Sequence, residues 1–352
     1  MFVTGLGTAN PSQRYSKSDC WAGFKASDWF QKLDRRSHMI ADAVLGRDNG
    51  IETRHLALAT MDEAFQIDPD TLHARFLANA PALAAQAGEA ALTQAGLAAQ
   101  QIDAVVVSTC TGYLCPGLSS YVIELLGLRA NVMAFDLVGQ GCAAALPNMR
   151  MADALLESGS CQHVLSICVE VSSAAMYLDN DPGVLVSACL FGDGAGAAVL
   201  SRQASPDKRS IEWKNFATLT NTDERAALMF ETRDGMLRNI LTLPVPRLAA
   251  EHAAQVLQVA LAEAGLERAD IGAWIVHAGG RDVLLALQKK LELDDGDLRY
   301  SAAMLREYGN MSSAFVYFVL QAALADDAPP GWWWLSSFGA GFCCHGALLK
   351  VA

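Results

Sequence analysis

The sequence predicts an α/β protein made of two related halves, residues 1–205 and 206–352. Three observations support this fold class. An alanine-rich helical pattern followed by a short apolar strand occurs twice, a glycine-rich turn followed by an apolar strand also occurs twice, and several strand patterns are apolar without alternation. Strands of the last kind are typical of sheets that helices cover on both faces. A chain of 352 residues can build such a layered, duplicated core.

The first repeat is a helix, a glycine that stops it, and a strand. Apolar residues recur at helical spacing over 72–96 and again over 248–265, and both stretches end in Ala-Gly-Leu. Strands are predicted over 102–108 and 271–277. Aligning the two terminal glycines pairs these strands without a gap, which indicates an internal duplication.

The second repeat is a turn that begins with Phe-Gly and leads into an apolar strand. It occurs at Phe191–Gly196 and at Phe338–Gly341, in the same order along the chain as the first repeat. The most linker-like polar stretch, 201–210, lies between the two halves. Ligand sites of α/β proteins form near strand ends, so we expect a site where the halves meet.

Composition excludes several classes of function. The chain has 26 Lys and Arg against 38 Asp and Glu, a net charge of −12, and no basic run, so we expect no nucleic-acid or anionic-membrane partner. No stretch approaches the roughly 20 apolar residues of a membrane span, and the first residues lack a signal-peptide pattern. The nine cysteines are an odd number without a CxxC pair. Together these features predict a soluble cytoplasmic protein with free thiols.

Cys142 lies in Gly139-Gln140-Gly141-Cys142, between a predicted strand over 132–137 and a helical pattern that stops near Ser158. A cysteine on a sharp strand-to-helix turn points outward, close to the first N–H groups of the helix. That position predicts a lowered thiol pKa and a nucleophile. A small buried residue at a tight turn is the alternative interpretation.

The second half offers two partners for this thiol. His277 follows the repeated strand, and Asn310 lies in a loop before the apolar run 315–324. Taken singly, a histidine at a strand end is most often structural, and an asparagine after glycine is usually a turn residue or a helix cap. A cysteine, a histidine and an asparagine on three turns instead supply a nucleophile, a cationic or donor partner, and a group that binds a developing oxyanion.

Seven stretches, in this order, resemble the type III polyketide synthases, the chalcone-synthase-like branch of the thiolase superfamily. The resemblance covers nearly the whole chain and implies a five-layered αβαβα sandwich, a homodimer, and the catalytic triad Cys142, His277 and Asn310. The stretches are Thr111-Gly112 with Pro116-Gly117, Leu125–Arg129, Gly139–Cys142, Leu190–Ala195, Val276–Gly280, Tyr308–Ala314 and Ser337–Gly341.

The resemblance also implies the chemistry. Cys142 would carry an acyl starter as a thioester, with His277 holding the thiolate as an ion pair. Asn310 and His277 would bind the malonyl thioester carbonyl, and decarboxylation would give an enolate that attacks the Cys142 thioester. Repeated extension would be followed by cyclisation to a pyrone, resorcinol or phloroglucinol-type product. The substrates would be an acyl-CoA and malonyl-CoA, with no bound cofactor and no metal.

Further site residues are implied by the matching motifs. Phe191 would separate the CoA tunnel from the cavity, Cys115 would reach across the dimer into the partner's cavity, and Arg54 would be the main cation left at the tunnel mouth. The backbone N–H groups of Cys142 and of the turn at Phe338 are expected to hold the oxyanion. The remaining expected pocket positions are Cys110, Thr111, Ser172, Gly235, Leu243 and Ser312.

Three alternatives stay open. The first is a ketoacyl synthase III with a single condensation, and the second is a non-condensing acyltransferase or acyl-binding protein of the same fold. With few cations around Arg54, an acyl-carrier-protein donor is open beside CoA. A metal site at Cys343-Cys344-His345 is disfavoured because adjacent strand residues point to opposite faces. Small and sulfur-bearing residues at Cys110, Cys115 and Leu243 favour a cavity for an aliphatic starter.

Overall fold

The fold is described from a computed structural model, which covers residues 1–46, 48–206 and 208–352. Asp207, in the predicted linker, lies outside the described residues. The strands within those ranges are β1 Phe2–Ala9, β2 Arg14–Ser16, β3 Thr53–His55, β4 Ala104–Ser108, β5 Met133–Leu137, β6 His163–Glu170, β7 Gly194–Ser201, β8 Ile211–Thr220, β9 Leu228–Arg233, β10 Met236–Leu241, β11 Ile271–Val276, β12 Gly331–Gly339 and β13 Cys343–Val351. The helices are α1 Lys17–Ala26, α2 Asp28–Lys32, α3 Arg35–Leu45, α4 Pro69–Ala95, α5 Leu118–Leu126, α6 Ala145–Glu157, α7 Pro182–Leu190, α8 Val245–Ala264, α9 Arg281–Lys290, α10 Arg299–Tyr308 and α11 Phe315–Ala325.

The strand pairing repeats between the two halves. In the first half β4 pairs parallel with β6, and β6–β7 and β7–β1 are antiparallel. In the second half β11 pairs parallel with β12, and β12–β13 and β13–β8 are antiparallel. A single pair, Phe2 with Glu212, joins the two sheets, and β5 adds an edge strand beside β4. The same ladder built twice confirms that the chain is a duplicated α/β fold.

Helices cover both sheets and also separate them. Helix α6 contacts β4 and β6 on one side and β12 and β13 on the other, and α11 likewise contacts β1 and β7 as well as β11 and β12. On the outer faces, α4 packs against the first sheet and α8 against the second. The layers are therefore helix, sheet, helix, sheet, helix, which confirms the predicted αβαβα sandwich. The division at residue 205 stays a prediction.

The alanine-rich composition of α4 follows from how closely it packs on β1. A Cβ added to Gly5 would lie 2.2 Å from the carbonyl oxygen of Ala91, and one added to Gly7 would lie 2.1 Å from that of Ala87. Small residues on both elements let the helix and strand backbones approach to this distance, and the facing alanines are fully buried. The helix ends at Gly96, whose φ of 72° is a left-handed cap. The predicted helix and its glycine stop are thus confirmed.

The central layer positions the site. The chain leaves β5 at the edge of the first sheet, turns, and enters α6, which is buried between the sheets. From the second half, the end of β11, the turn between β12 and β13, and the loop before α11 approach the same point. Among the described residues, no helix is both long and apolar enough to cross a membrane.

Candidate active site

Cys142 lies in a short 3-10 turn, Gly141–Ala143, directly before α6. The preceding turn needs glycine, since Gly139 has a φ of 89° and Gly141 a φ of 54°. The Cys142 side chain is partly exposed, and its Sγ accepts a 3.2 Å hydrogen bond from Ser312 Oγ. The predicted strand–turn–helix setting of the thiol is therefore present.

The turn between β12 and β13 packs on the backbone of the Gly141–Ala143 turn that carries Cys142. A Cβ added to Gly339 would lie 2.6 Å from both Ala143 N and Gln140 O. Ser337 Oγ donates a 3.1 Å hydrogen bond to the carbonyl of Ala143. The β12–β13 turn of the second half therefore packs directly against the Cys142 turn of the first half.

His277 is the first residue after β11 and is completely buried. Its N–H donates to Ser336 O at 2.9 Å, which extends the pairing of β11 with β12. The imidazole lies between two aromatic rings, with centroids 5.4 Å from Phe315 and 5.2 Å from Phe338. Within the described chain neither ring nitrogen has a hydrogen-bond partner. The ring is held by packing alone, so both nitrogens remain free to bind a substrate or exchange a proton.

Asn310 is fixed on both its backbone and its side chain. Its backbone pairs with the segment around Phe191, donating to Leu190 O at 2.9 Å and accepting from Gly192 N at 3.0 Å. The side-chain Oδ1 accepts from Ser312 N at 2.8 Å, and Nδ2 donates to Gly279 O at 3.2 Å. The primary amide has a second Nδ2 hydrogen for a substrate oxygen.

These contacts connect the three predicted catalytic residues. Ser312 bonds Cys142 through its hydroxyl and Asn310 through its backbone N–H, and Asn310 bonds Gly279, two residues after His277. Two loops of the second half and one turn of the first half are therefore joined by hydrogen bonds around the thiol.

The electrostatics differ from the expectation. Burial raises the pKa of the Cys142 thiol to about 12, with Glu170 adding to the rise and the Ser312 hydrogen bond opposing it. Burial lowers the pKa of His277 to about 3. Both groups are neutral near pH 7, so the lowered thiol pKa predicted from the turn is wrong for this structure. The predicted thiolate–imidazolium pair is absent among the described residues, because the Ser312 hydrogen bond offsets only part of the desolvation of Cys142 and burial alone acts on His277.

Glu170, at the end of β6, is a site component that the sequence interpretation missed. It is completely buried and accepts hydrogen bonds from Cys110 N at 3.0 Å, from Thr111 Oγ1 at 3.0 Å, and from Ser313 Oγ. Burial raises the pKa of its carboxyl. A charged residue ending the apolar strand pattern 164–169 was the signal that could have identified it.

Most of the expected pocket positions line one inner cavity beside the thiol. The volume of this inner cavity is only about 30 Å³, which is room for a water or two. It adjoins an outer groove of about 810 Å³, which Gly235 also lines. Phe230 and Asn239, from β9 and β10, were not predicted. The expected positions that line the inner cavity are Cys110, Thr111, Ser172, Phe191 and Ser312.

Two expected site residues are placed elsewhere. Arg54 is 6% exposed and donates from Nη1 to the carbonyls of Ala188 at 2.9 Å and Phe191 at 3.0 Å. It holds the segment before Phe191 rather than facing a CoA phosphate, because the buried guanidinium bonds these two carbonyls. Leu243 follows β10 and is 97% exposed, so it lies outside the cavity. Cys115 is exposed on the surface of the chain.

Phe338 packs on His277 and stacks on Phe342 at a centroid distance of 6.0 Å. Its place in the turn against Cys142 agrees with the predicted position, while its oxyanion role stays a prediction. Among the residues that the structure describes, no group of three or more His, Cys, Asp or Glu side chains could hold a metal ion.

Comparisons with known proteins settle the family. Residues 40–224 match the model described as FAE1/Type III polyketide synthase-like protein, and residues 218–351 match the C-terminal domain of chalcone and stilbene synthases. The chain belongs to the type III polyketide synthases. It is a decarboxylating condensing acyltransferase of the chalcone-synthase-like kind.

Relatives of known activity are bacterial members of this family. A 1,3,6,8-tetrahydroxynaphthalene synthase from Streptomyces peucetius subsp. caesius is 33% identical over 99% of this chain and 92% of its own. A 3,5-dihydroxyphenylacetyl-CoA synthase from Amycolatopsis orientalis is 33% identical over 74% of this chain and 72% of its own. The crystal structure of PKS-I from the brown alga Ectocarpus siliculosus superposes with a TM-score of 0.91 at 26% identity, covering 99% of this chain and 98% of that one.

Proposed function

We propose that this type III polyketide synthase loads an acyl starter on Cys142 and extends it repeatedly with malonyl units, using His277 and Asn310 at each step. The observation that carries the assignment is the convergence of the Cys142 turn with the His277 and Asn310 loops, which the Ser312 hydrogen bonds connect. The named relatives make cyclised aromatic products, which supports repeated extension followed by cyclisation.

Loading begins from a neutral thiol and a neutral imidazole. As the Cys142 sulfur attacks the starter thioester carbonyl, its proton moves to His277, a new C–S bond forms, and the leaving thiolate departs and takes up a proton. The hydrogen bond from Ser312 Oγ stabilises the sulfur as it becomes anionic. Burial thus makes the thiolate a transient species that forms with the substrate bound.

Extension requires a stabilised enolate. The free Nδ2 hydrogen of Asn310 and a nitrogen of His277 donate to the malonyl thioester carbonyl, so loss of CO₂ leaves negative charge on an oxygen held by two donors. The enolate carbon attacks the acyl carbonyl on Cys142, the C–C bond forms, and the C–S bond breaks to release the thiolate. The extended chain is now a thioester of the malonyl donor; Cys142 attacks that thioester again, a new C–S bond forms, and the donor thiol leaves before the next cycle.

The donors are proposed to be CoA thioesters, as is usual in this family. Because Arg54 is buried, the CoA phosphates must meet other cations, and an acyl-carrier-protein donor remains an outcome that the experiment below can detect. The nine cysteines are all free, which supports a reducing, cytoplasmic location.

We also propose a homodimer formed at the β5 edge of the first sheet. An edge strand carries unpaired backbone groups that can pair with another chain. Nearby, Val138 is 65% exposed and Tyr113 is 74% exposed, and both line the outer groove. A second copy seated there would cover these side chains, and the exposed Cys115 would lie at the same interface.

The test is mass spectrometry of the products that purified protein makes from malonyl-CoA and a panel of acyl-CoA starters. Pyrone or resorcinol-type products from two or more extensions, absent with Cys142→Ala, are expected. A single β-ketoacyl product, or turnover with carrier-protein substrates alone, would instead indicate ketoacyl-synthase-III chemistry. Failure of every donor to acylate Cys142 would overturn both assignments.

A further inference from the structure

The β9–β10 ribbon is a wall of the site that lies outside the large nine-stranded sheet. Among the described residues its two strands pair only with each other, on either side of the turn Asp234-Gly235. Phe230 and Asn239 line the inner cavity from this ribbon, and Phe230, Gly235 and Met236 line the outer groove. A two-stranded ribbon is marginally stable by itself, so its position depends on side-chain contacts with the rest of the protein.

Arg238 makes the contacts that hold this ribbon. It is opposite Glu231 in the strand register, and its Nη1 donates to Glu231 Oε1 at 3.0 Å, which joins β10 to β9. Its Nε donates to Asp179 Oδ2 at 2.9 Å, and its Nη2 lies 3.3 Å from Asp181 Oδ2. Because the Arg238 side chain is only 7% exposed, these ion pairs are screened less than pairs on the surface.

The two aspartates lie in residues 177–181, the loop that leads into α7. Tyr177 of this loop lines the inner cavity, and its hydroxyl donates to Asp234 Oδ2 at 3.4 Å, at the tip of the ribbon. Asp181 is the N-cap of α7 and accepts from the first N–H groups of that helix. Arg238 therefore joins the ribbon to the loop that forms another wall of the same cavity.

The base of the ribbon is held in a different way. A Cβ added to Gly183 would lie 2.0 Å from the carbonyl oxygen of Leu241, so the start of α7 and the end of β10 are in close backbone contact. This contact does not involve the Arg238 side chain. Loss of the Arg238 ion pairs should therefore free the tip of the ribbon while its base and the fold are kept.

We propose that Arg238 is a positioning residue for chain extension: it holds the ribbon against residues 177–181 and thereby fixes how many malonyl units are added before the product is released. This inference rests on the proposed function and names a residue that sets product length at that same site. Arg238 acts through the ribbon, since it lies outside both sets of lining residues.

The inference follows from how a chain grows beside a wall. Each extension lengthens the chain by two carbons, so a space of fixed size is filled after a defined number of steps. The ribbon lines both the inner cavity and the outer groove of about 810 Å³, so its position sets the size of that space. With the tip of the ribbon free, the space varies from molecule to molecule, and chains of several lengths fit.

The experiment compares wild type with Arg238→Met, Arg238→Lys and Glu231→Gln, each given malonyl-CoA with acetyl-CoA or hexanoyl-CoA as the starter. The readouts are product length by mass spectrometry, acylation of Cys142, Tm, and amide hydrogen exchange of peptides from the ribbon and from α6. Arg238→Met should speed exchange in residues 228–241 by about 10-fold or more, because charged hydrogen bonds are lost. Its products should spread over several lengths, while exchange in α6 and acylation of Cys142 stay as in wild type.

Three variants separate positioning from general support of the fold. Arg247→Met is the matched control, because Arg247 is 60% exposed and pairs with Glu251 on α8; it should keep wild-type products and exchange. Arg238→Lys keeps a charged donor and should restore part of the wild-type product distribution. Glu231→Gln weakens the ion pairs without removing the arginine, so it supplies the test if Arg238→Met does not fold.

A loosened ribbon that still gives the wild-type product lengths would overturn the inference, as would unchanged exchange in folded Arg238→Met or Glu231→Gln. Faster exchange throughout the chain, with loading and extension lost together, would also overturn it, because Arg238 would then merely support the fold. Each of these results leaves wild-type extension intact and spares the proposed function. Wild-type protein that extends neither starter would overturn the proposed function, and the inference with it.

Discussion

Ser312→Gly tests how the site generates a thiolate from a partly exposed thiol whose pKa is raised. The Ser312 hydroxyl donates to Cys142 Sγ at 3.2 Å, and this hydrogen bond lowers a thiol pKa that burial has raised to about 12. Ser312 has a φ of 50°, a backbone that glycine adopts readily, so Ser312→Gly removes the hydroxyl without adding strain.

The size of the effect follows from the energy of a hydrogen bond to an anion. Such a bond contributes about 1.5–3 kcal/mol, and each pKa unit corresponds to about 1.4 kcal/mol. Ser312→Gly should therefore raise the Cys142 pKa by about one to two units. At a fixed pH below the pKa, the thiolate fraction and hence the alkylation rate should fall about 10-fold to 100-fold.

The assay is the rate of iodoacetamide alkylation of the Cys142 peptide between pH 6 and 10, followed by mass spectrometry. Cys142→Ala identifies that peptide among those of the other free cysteines. In wild type the rate should keep rising with pH and show no plateau near neutrality. A wild-type plateau below pH 7, or identical profiles for wild type and Ser312→Gly, would refute the reasoning.

Three further predictions concern the frame of the site. Arg54→Met should lower the free energy of unfolding by about 2–4 kcal/mol, because two partly buried carbonyls lose their charged donor, while KM for malonyl-CoA stays within about 2-fold. Gly339→Ala should lower kcat by about 100-fold, because its Cβ displaces the nucleophile turn. Burial lowers the pKa of His345 from 6.5 to about 4, so the native state binds fewer protons than the unfolded chain and loses stability as pH falls through that range. Between pH 7 and 4.5 the free energy of unfolding should fall by about 2–3 kcal/mol less in His345→Gln than in wild type, as measured by denaturant titration.

Each of these three predictions has a control or a contradicting outcome. Gly272→Ala is the control for Gly339→Ala, because its Cβ would lie 3.8 Å from the nearest atom, Trp332 O, and activity should be retained. Loss of activity in both glycine variants would contradict the steric argument. If Arg54→Met increased KM for malonyl-CoA and left stability unchanged, Arg54 would instead be a CoA-binding residue. An unchanged acid sensitivity of His345→Gln would contradict the burial argument.

The repeated patterns predicted the fold because their physical requirements are local. A helix stopped by a left-handed glycine and followed by a buried strand leaves the same signature at Gly96 and at Gly265. The Cys142 turn was predictable for a similar reason, since the change from strand to helix period and the flanking glycines are visible in the sequence.

What the sequence could not predict depends on the depth of burial and on side-chain partners. The residue type and position of Arg54 suggested a phosphate contact, but only the fold shows that two carbonyls occupy its guanidinium. The turn at Cys142 indicated an acidic thiol, yet desolvation outweighs the helix terminus. Asn239 lies in a short strand without a motif, so only its pairing with Phe230 reveals that it faces the cavity.

The most direct test of the central claim is to follow the Cys142 peptide by mass spectrometry after rapid mixing with a starter CoA and carbon-13-labelled malonyl-CoA. The account predicts a ladder on Cys142: the starter acyl group, then chains that are longer by successive labelled two-carbon units. Asn310→Ala should stop at the unextended starter, because the malonyl carbonyl loses a donor. Acylation elsewhere in the chain, or a starter on Cys142 that wild type never extends, would contradict it.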